Sequence, residues 1–120
     1  MGDRGNIVVK DGKSVIWLYT HWDGFTIEDV LRAALKRRVR WDDPSYLTRI
    51  IFCEMVKDDP AGTTGYGIST GPQDNNNPVL VVNIKRERVE LFAGDDIKGD
   101  PDQWLNFEEF LTTHFDREET

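Results

Sequence analysis

An α+β fold in a single domain, with one mostly antiparallel sheet and helices packed on it, is what this chain predicts. Three observations carry that expectation. Apolar, β-branched runs come in neighbouring pairs joined by short turns, 6–9 with 15–20 and 79–84 with 89–92, and hairpin pairing makes a sheet antiparallel. Between those pairs, two consecutive stretches carry apolar residues at helical spacing. At 120 residues the chain holds one core without needing disulfide or metal staples. The expected order is β-β-α-α-β-β-β-α over residues 1–120, with an acidic C-terminal segment at 95–120 and no internal repeat.

The first strand is expected at 6–9, and Asp11-Gly12 is a strong turn signal between β-prone runs. The second, 15–20, is apolar on both faces, which places it centrally. It then breaks into His21, Trp22, Asp23 and Gly24, as a buried strand does when it delivers polar side chains to the end of a sheet. Thr26 followed by Asp29 resembles a capping box, and Ile27, Val30, Leu31, Ala34 and Leu35 form one buried stripe. The helix closes in Lys36, Arg37, Arg38 and Arg40, cations that suit its negative end.

Asp43-Pro44 starts a second helix, with the acid as cap and the proline where no N–H is needed. Leu47, Ile50, Ile51 and Met55 supply its core face, widened by Phe52, Cys53 and Val56. Arg49 interrupts this apolar run, and an unpaired buried charge is expensive. It is therefore expected to pair with Asp23, Asp42 or Asp43. A short strand follows at 66–69, then an exposed Asn-rich loop, then the hairpin 79–84/89–92. Its turn, Lys85-Arg86-Glu87-Arg88, lacks the usual Gly or Asn. After an acidic loop expected to be weakly held, Asn106 with Glu109 caps a last helix whose inner stripe is Phe107, Phe110, Leu111 and His114.

The formal charge of −7 is placed unevenly. Residues 1–94 hold 13 acids and 13 bases, whereas 95–120 hold nine acids against Lys98 and Arg117. Such a field repels nucleic acid and attracts basic partners. No apolar run approaches the roughly 20 residues of a membrane span, and the start of the chain lacks a signal-peptide layout. The single Cys53 excludes an internal disulfide and fits a reducing cytoplasm.

Three blocks then stand out: Tyr19-Thr20-His21-Trp22-Asp23-Gly24, Arg40-Trp41-Asp42-Asp43-Pro44-Ser45-Tyr46-Leu47 and Gly65-Tyr66-Gly67-Ile68. In this combination, over roughly residues 5–92, the chain resembles an uncharacterised family of small proteins of bacteria, phages and prophages. The resemblance implies a phage or mobile-element setting and carries no activity.

Catalytic residues are not assigned. His21 with Asp23 has the makings of an oriented imidazole, but no nucleophile motif accompanies it. Two histidines without H-x-H, H-E-x-x-H or a cysteine pair give no metal site, and no cofactor fingerprint is present. Two binding surfaces are candidates. His21, Trp22, Asp23, Trp41, Asp42, Tyr46, Arg49 and Tyr66 have the makeup of a small ligand pocket, apolar walls with a few polar anchors. Asp95, Asp96, Asp100, Asp102, Trp104, Glu108 and Glu109 would form a partner-binding acidic face. The reading placed first is a non-catalytic binding protein that engages the basic surface of a host protein through that face, and so antagonises a nucleic-acid-handling or defence complex. A nucleotide-like ligand in the aromatic pocket, its anion reaching Arg37 or Arg40, is the alternative. A small hydrolase built on His21 and Asp23 is the second alternative.

Overall fold

The computed structural model describes residues 3–22, 24–58, 62, 64–72, 75, 77–94 and 96–115. Asp23 and Asp95, named above as candidates, lie outside the described residues. The predicted succession of strands and helices is present: β1 (Gly5–Asp11), β2 (Ser14–Thr20), α1 (Ile27–Leu35), α2 (Pro44–Met55), β3 (Tyr66–Ser69), β4 (Val79–Asn83) and β5 (Arg88–Phe92). A sixth strand, β6 (Gln103–Asn106), forms within the acidic segment, immediately before α3 (Phe107–Thr112). The sheet order is β3-β2-β1-β4-β5-β6. Every pairing is antiparallel except β1 with β4, whose long connection runs through β2, α1, α2 and β3.

Local chemistry explains most boundaries. Gly12, at φ 63, takes the left-handed conformation that a two-residue hairpin loop demands, and Asp11 faces Ser14 in the register. Asp43 accepts the backbone N–H groups of Ser45 and Tyr46 ahead of Pro44. Asn106 and Glu109 make the full reciprocal capping box of α3. Thr26 departs from expectation. Its side chain caps nothing at the start of α1, which is entered through a 3-10 turn at Gly24–Thr26, and Asp29 reaches forward to Arg32 at 3.5 Å.

Helices cover one face of the sheet. Ile7, Val9, Leu18, Leu80, Val82, Val89 and Leu91 pack there against Leu31, Leu35, Leu47, Ile51 and Phe110. Alternate residues point the other way, as a pleated strand requires. On that second face Val8, Trp17, Val79, Val81 and Phe92 form a smaller buried cluster, with Val15 and Ile97 packed against it. β1 and β4 are therefore apolar on both sides, which is why they read as uninterrupted hydrophobic runs.

Two expectations at the ends of helices need correction. His114 is not part of the inner stripe of α3. The helix ends at Thr112, the His114 side chain is exposed, and Phe115 takes the buried place instead. Arg49 is exposed and has no ion pair among the described residues. It lies two positions from Leu47, roughly 200° around the helix from that buried side chain, so the feared burial of a charge does not arise.

Candidate functional site

The aromatic residues of the predicted pocket separate into two groups. At the end of β2, the Tyr19 hydroxyl and His21 Nδ1 share a hydrogen bond of 2.8 Å. His21 meets Trp22 edge-on, with ring centroids 6.2 Å apart, and Trp22 meets Tyr66 in the same way at 5.7 Å. The His21 N–H donates to the Gly65 carbonyl at 2.7 Å, so the first block is stitched to the third. Among the described residues no Ser, Thr or Cys side chain bonds the His21 ring, whose hydrogen-bond partner is the Tyr19 hydroxyl.

Trp41 and Asp42 lie at the other end of the sheet. They line a small cavity of about 240 Å³ with Ile84, Glu87 and Phe107, and Ile84 donates to the Lys10 carbonyl at the far end of β1. His21, by contrast, follows Thr20, which pairs with Gly5 at the near end. The five residue steps from Gly5 to Lys10 span roughly 17 Å of strand. Trp41 is anchored by its indole N–H to the Leu35 carbonyl at 3.1 Å and packs edge-on against Phe107. Tyr46 lies under the Arg40 guanidinium at 4.5 Å. Arg37 pairs with Glu54 at 3.0 Å. The structure thus brings together His21, Trp22 and Tyr66, and leaves Trp41, Asp42, Tyr46 and Arg49 elsewhere.

Gly65 holds the first group in place. Its φ of 93° is left-handed, and an added Cβ would fall onto the Trp22 ring. Gly65→Ala is expected to destabilise the protein by about 1–2 kcal/mol through backbone strain alone. It should also raise the exposure of Trp22. Denaturant melts followed by tryptophan fluorescence check both, and an unchanged spectrum and midpoint would refute the packing role.

The acidic segment is more differentiated than its composition. Glu108 forms a two-pronged ion pair with Arg38 on the α1–α2 connection. The hydrogen bond from that guanidinium holds the Glu108 carboxyl below the usual carboxylate range. Glu109 is committed to the α3 cap. The Asp102 carboxylate accepts the Ala93 N–H at 2.7 Å, and its own N–H donates to the Leu91 carbonyl at 2.9 Å. The loop is therefore tied to β5 before β6 begins.

What remains outward is a compact group on the last strand and the loop before it. Asp96, Asp100 and Asp102 are exposed. Trp104 is 52% exposed, opposite Glu90 in the β5–β6 register, and carries the Arg88 guanidinium over its ring at 4.6 Å. The outer edge of β6 has no neighbouring strand among the described residues. Sequence reasoning assigned Trp104 to the acidic face but missed the strand that displays it. Its signal is the Gln-Trp-Leu-Asn alternation, in which Leu105 packs on the core while Trp104 does not.

Among the described residues no group of three or more His, Cys, Asp or Glu is placed to hold a metal ion. Nor is any helix among them long and apolar enough to cross a membrane. Comparison with family models, curated proteins and solved structures finds no match.

Proposed function

We propose that this is a non-catalytic binding protein of phage or prophage type that engages a basic host protein through the β6 edge and its acidic approach. The observation that supports this reading is Trp104, a large aromatic side chain half exposed on an edge strand. Tryptophan, with tyrosine and arginine, is enriched among the residues that anchor protein interfaces. An open edge strand accepts an extended segment of a partner through main-chain hydrogen bonds. Asp96, Asp100 and Asp102 beside it favour a segment carrying Lys or Arg, of the kind found on nucleic-acid-handling and defence complexes, which the protein would obstruct. Glu108 and Glu109, already engaged within the fold, are left out of the contact.

The test is affinity capture from a host lysate, followed by binding measurements on the captured protein. Trp104→Ala should weaken binding by about 2–4 kcal/mol, the range of an interface hot spot. Changing Asp96 and Asp100 to Lys, with Asp102 kept because its carboxylate holds the Ala93 N–H, should slow association and weaken its salt dependence, because steering acts over a Debye length of about 8 Å. Binding that survives both changes would refute the reading.

A further inference from the structure

The sheet face away from the helices carries a second feature, chemically opposite to the acidic segment. Lys10, Asn83 and Arg88 are lateral neighbours on β1, β4 and β5, with Glu90 two residues along β5. Arg86 comes down from the β4–β5 turn, and Lys98, Gly99, Asp100 and Pro101 close the far side. Together they line a pocket of about 280 Å³. Four cations thus meet two carboxylates, in a chain whose net charge is −7.

We propose that this pocket binds a small phosphorylated ligand, a phosphate monoester or diphosphate. Arg88 is the strongest reason. Its Nε donates to the buried Glu90 carboxylate at 2.6 Å, and its guanidinium carbon lies over the Trp104 ring at 4.6 Å. Both contacts fix the orientation of the fork, while its terminal nitrogens carry no hydrogen bond among the described residues. An arginine held in this way presents parallel N–H donors matched to a phosphate.

The remaining cations are equally available. Lys10, Arg86 and Lys98 have no ion pair among the described residues, whereas Arg32, Arg37, Arg38 and Lys57 are all paired. Glu90 does not oppose an anion, since Arg88 and the Asn83 amide at 3.2 Å compensate it. Asn83 also accepts the Arg86 N–H at 3.1 Å, which fixes the turn that carries Arg86. Converging, unpaired cations repel one another unless a multivalent anion joins them. The volume lies at the small end of ligand pockets, which suits a headgroup rather than a polymer.

Titration of the ¹⁵N-labelled full chain with pyrophosphate, at ionic strength held constant with sodium chloride, tests the proposal. Saturable shifts centred on Lys10, Arg86, Arg88 and Lys98 are expected. Replacing Lys10 and Lys98 together by Gln should weaken binding on the order of 100-fold, from two lost charge-assisted hydrogen bonds. The charge-matched control, Lys13→Gln with Lys36→Gln, should change it less than about twofold. All four positions are solvent-facing or half-buried, and unchanged melting of both variants is the accompanying check on folding. Inorganic phosphate and adenosine monophosphate form two further arms. Tighter binding of the nucleotide would identify a nucleotide source, and equal binding would identify the phosphoryl group alone. Shifts that fail to saturate, that spread to Lys13 and Lys36, or that are equal in the two variants would overturn the site. None of these outcomes depends on a protein partner at the β6 edge.

Discussion

Replacing Arg32 by alanine is expected to destabilise the protein by about 3–5 kcal/mol, the usual consequence of removing one partner of a buried ion pair. Arg32 and Glu28 are one helical turn apart on α1, 2.9 Å from each other, with side chains only 8% and 7% exposed. The guanidinium does three further things. Its Nε donates to the Phe110 carbonyl at 2.8 Å, a terminal nitrogen donates to the Thr113 carbonyl at 2.9 Å, and its plane lies over the Phe110 ring at 4.5 Å. It therefore satisfies the last carbonyls of α3 while fastening that helix to α1. Alanine would take these donors from two carbonyls and from the buried Glu28 carboxylate, which keeps its contact with His114 Nδ1 at 3.1 Å. For a domain whose whole stability is of order 5–15 kcal/mol, the loss is severe. Equilibrium urea unfolding measures it. The double variant Glu28→Gln with Arg32→Met should recover part of the loss, because no uncompensated charge remains. A single-variant loss below about 1 kcal/mol would mean that the network contributes little.

Nothing in the sequence announces this network, and the reason is physical. Glu28 and Arg32 read as an ordinary surface pair at i and i+4. They become buried only because α3 returns to them some 80 residues later. Signals that were legible are those whose whole mechanism is local. Asp11-Gly12, Asp43-Pro44 and the Asn106/Glu109 box each act within four residues, and each forms in the structure as the sequence suggests. The α+β class was equally accessible, since hairpins and helical stripes are short-range patterns.

Assembly of the aromatic residues was not legible. Residue blocks that stand out along the chain need not meet in space. The registers put His21 near Gly5 and Trp41 near Lys10, at opposite ends of β1. The cationic pocket shows the converse. Lys10, Asn83, Arg88 and Lys98 are unremarkable in sequence, and only the parallel β1–β4 pairing lays the first three side by side. Crossover pairings of this kind depend on the whole fold, so period and propensity do not reveal them. β6 was hidden by its neighbours, because a four-residue strand after an acidic, proline-containing loop carries too little apolar signal to stand out.

Gly24→Ala is expected to destabilise the protein by roughly 2–4 kcal/mol, at the upper end of what overpacking does. The constraint is space rather than backbone angle. A Cβ on Gly24 would sit 2.7 Å from the Arg4 carbonyl carbon and oxygen, and would also strike the Asn77 amide. Neither obstacle moves freely. The Asn77 amide donates to the Arg4 carbonyl at 2.9 Å and to the Asp3 carboxylate at 2.7 Å. The Arg4 backbone is fixed from both sides, since Gly24 donates to the Asp3 carbonyl and Asp3 donates to His21, each at 2.8 Å. Gly5 makes the same demand from across the gap, where its own Cβ would lie 2.7 Å from the Gly24 Cα. Two backbones therefore touch where β1 begins and α1 is entered, and a methyl group must separate them. Gly67→Ala is the contrasting case. It lies in β3, yet a Cβ there meets nothing within 4 Å, so alanine should stabilise by about 0.4–1 kcal/mol by restricting the unfolded chain. Chemical denaturation of the two variants side by side should give shifts of opposite sign. Equal shifts, or a neutral Gly24→Ala, would show that the start of β1 and the Gly24 turn can move apart without loss.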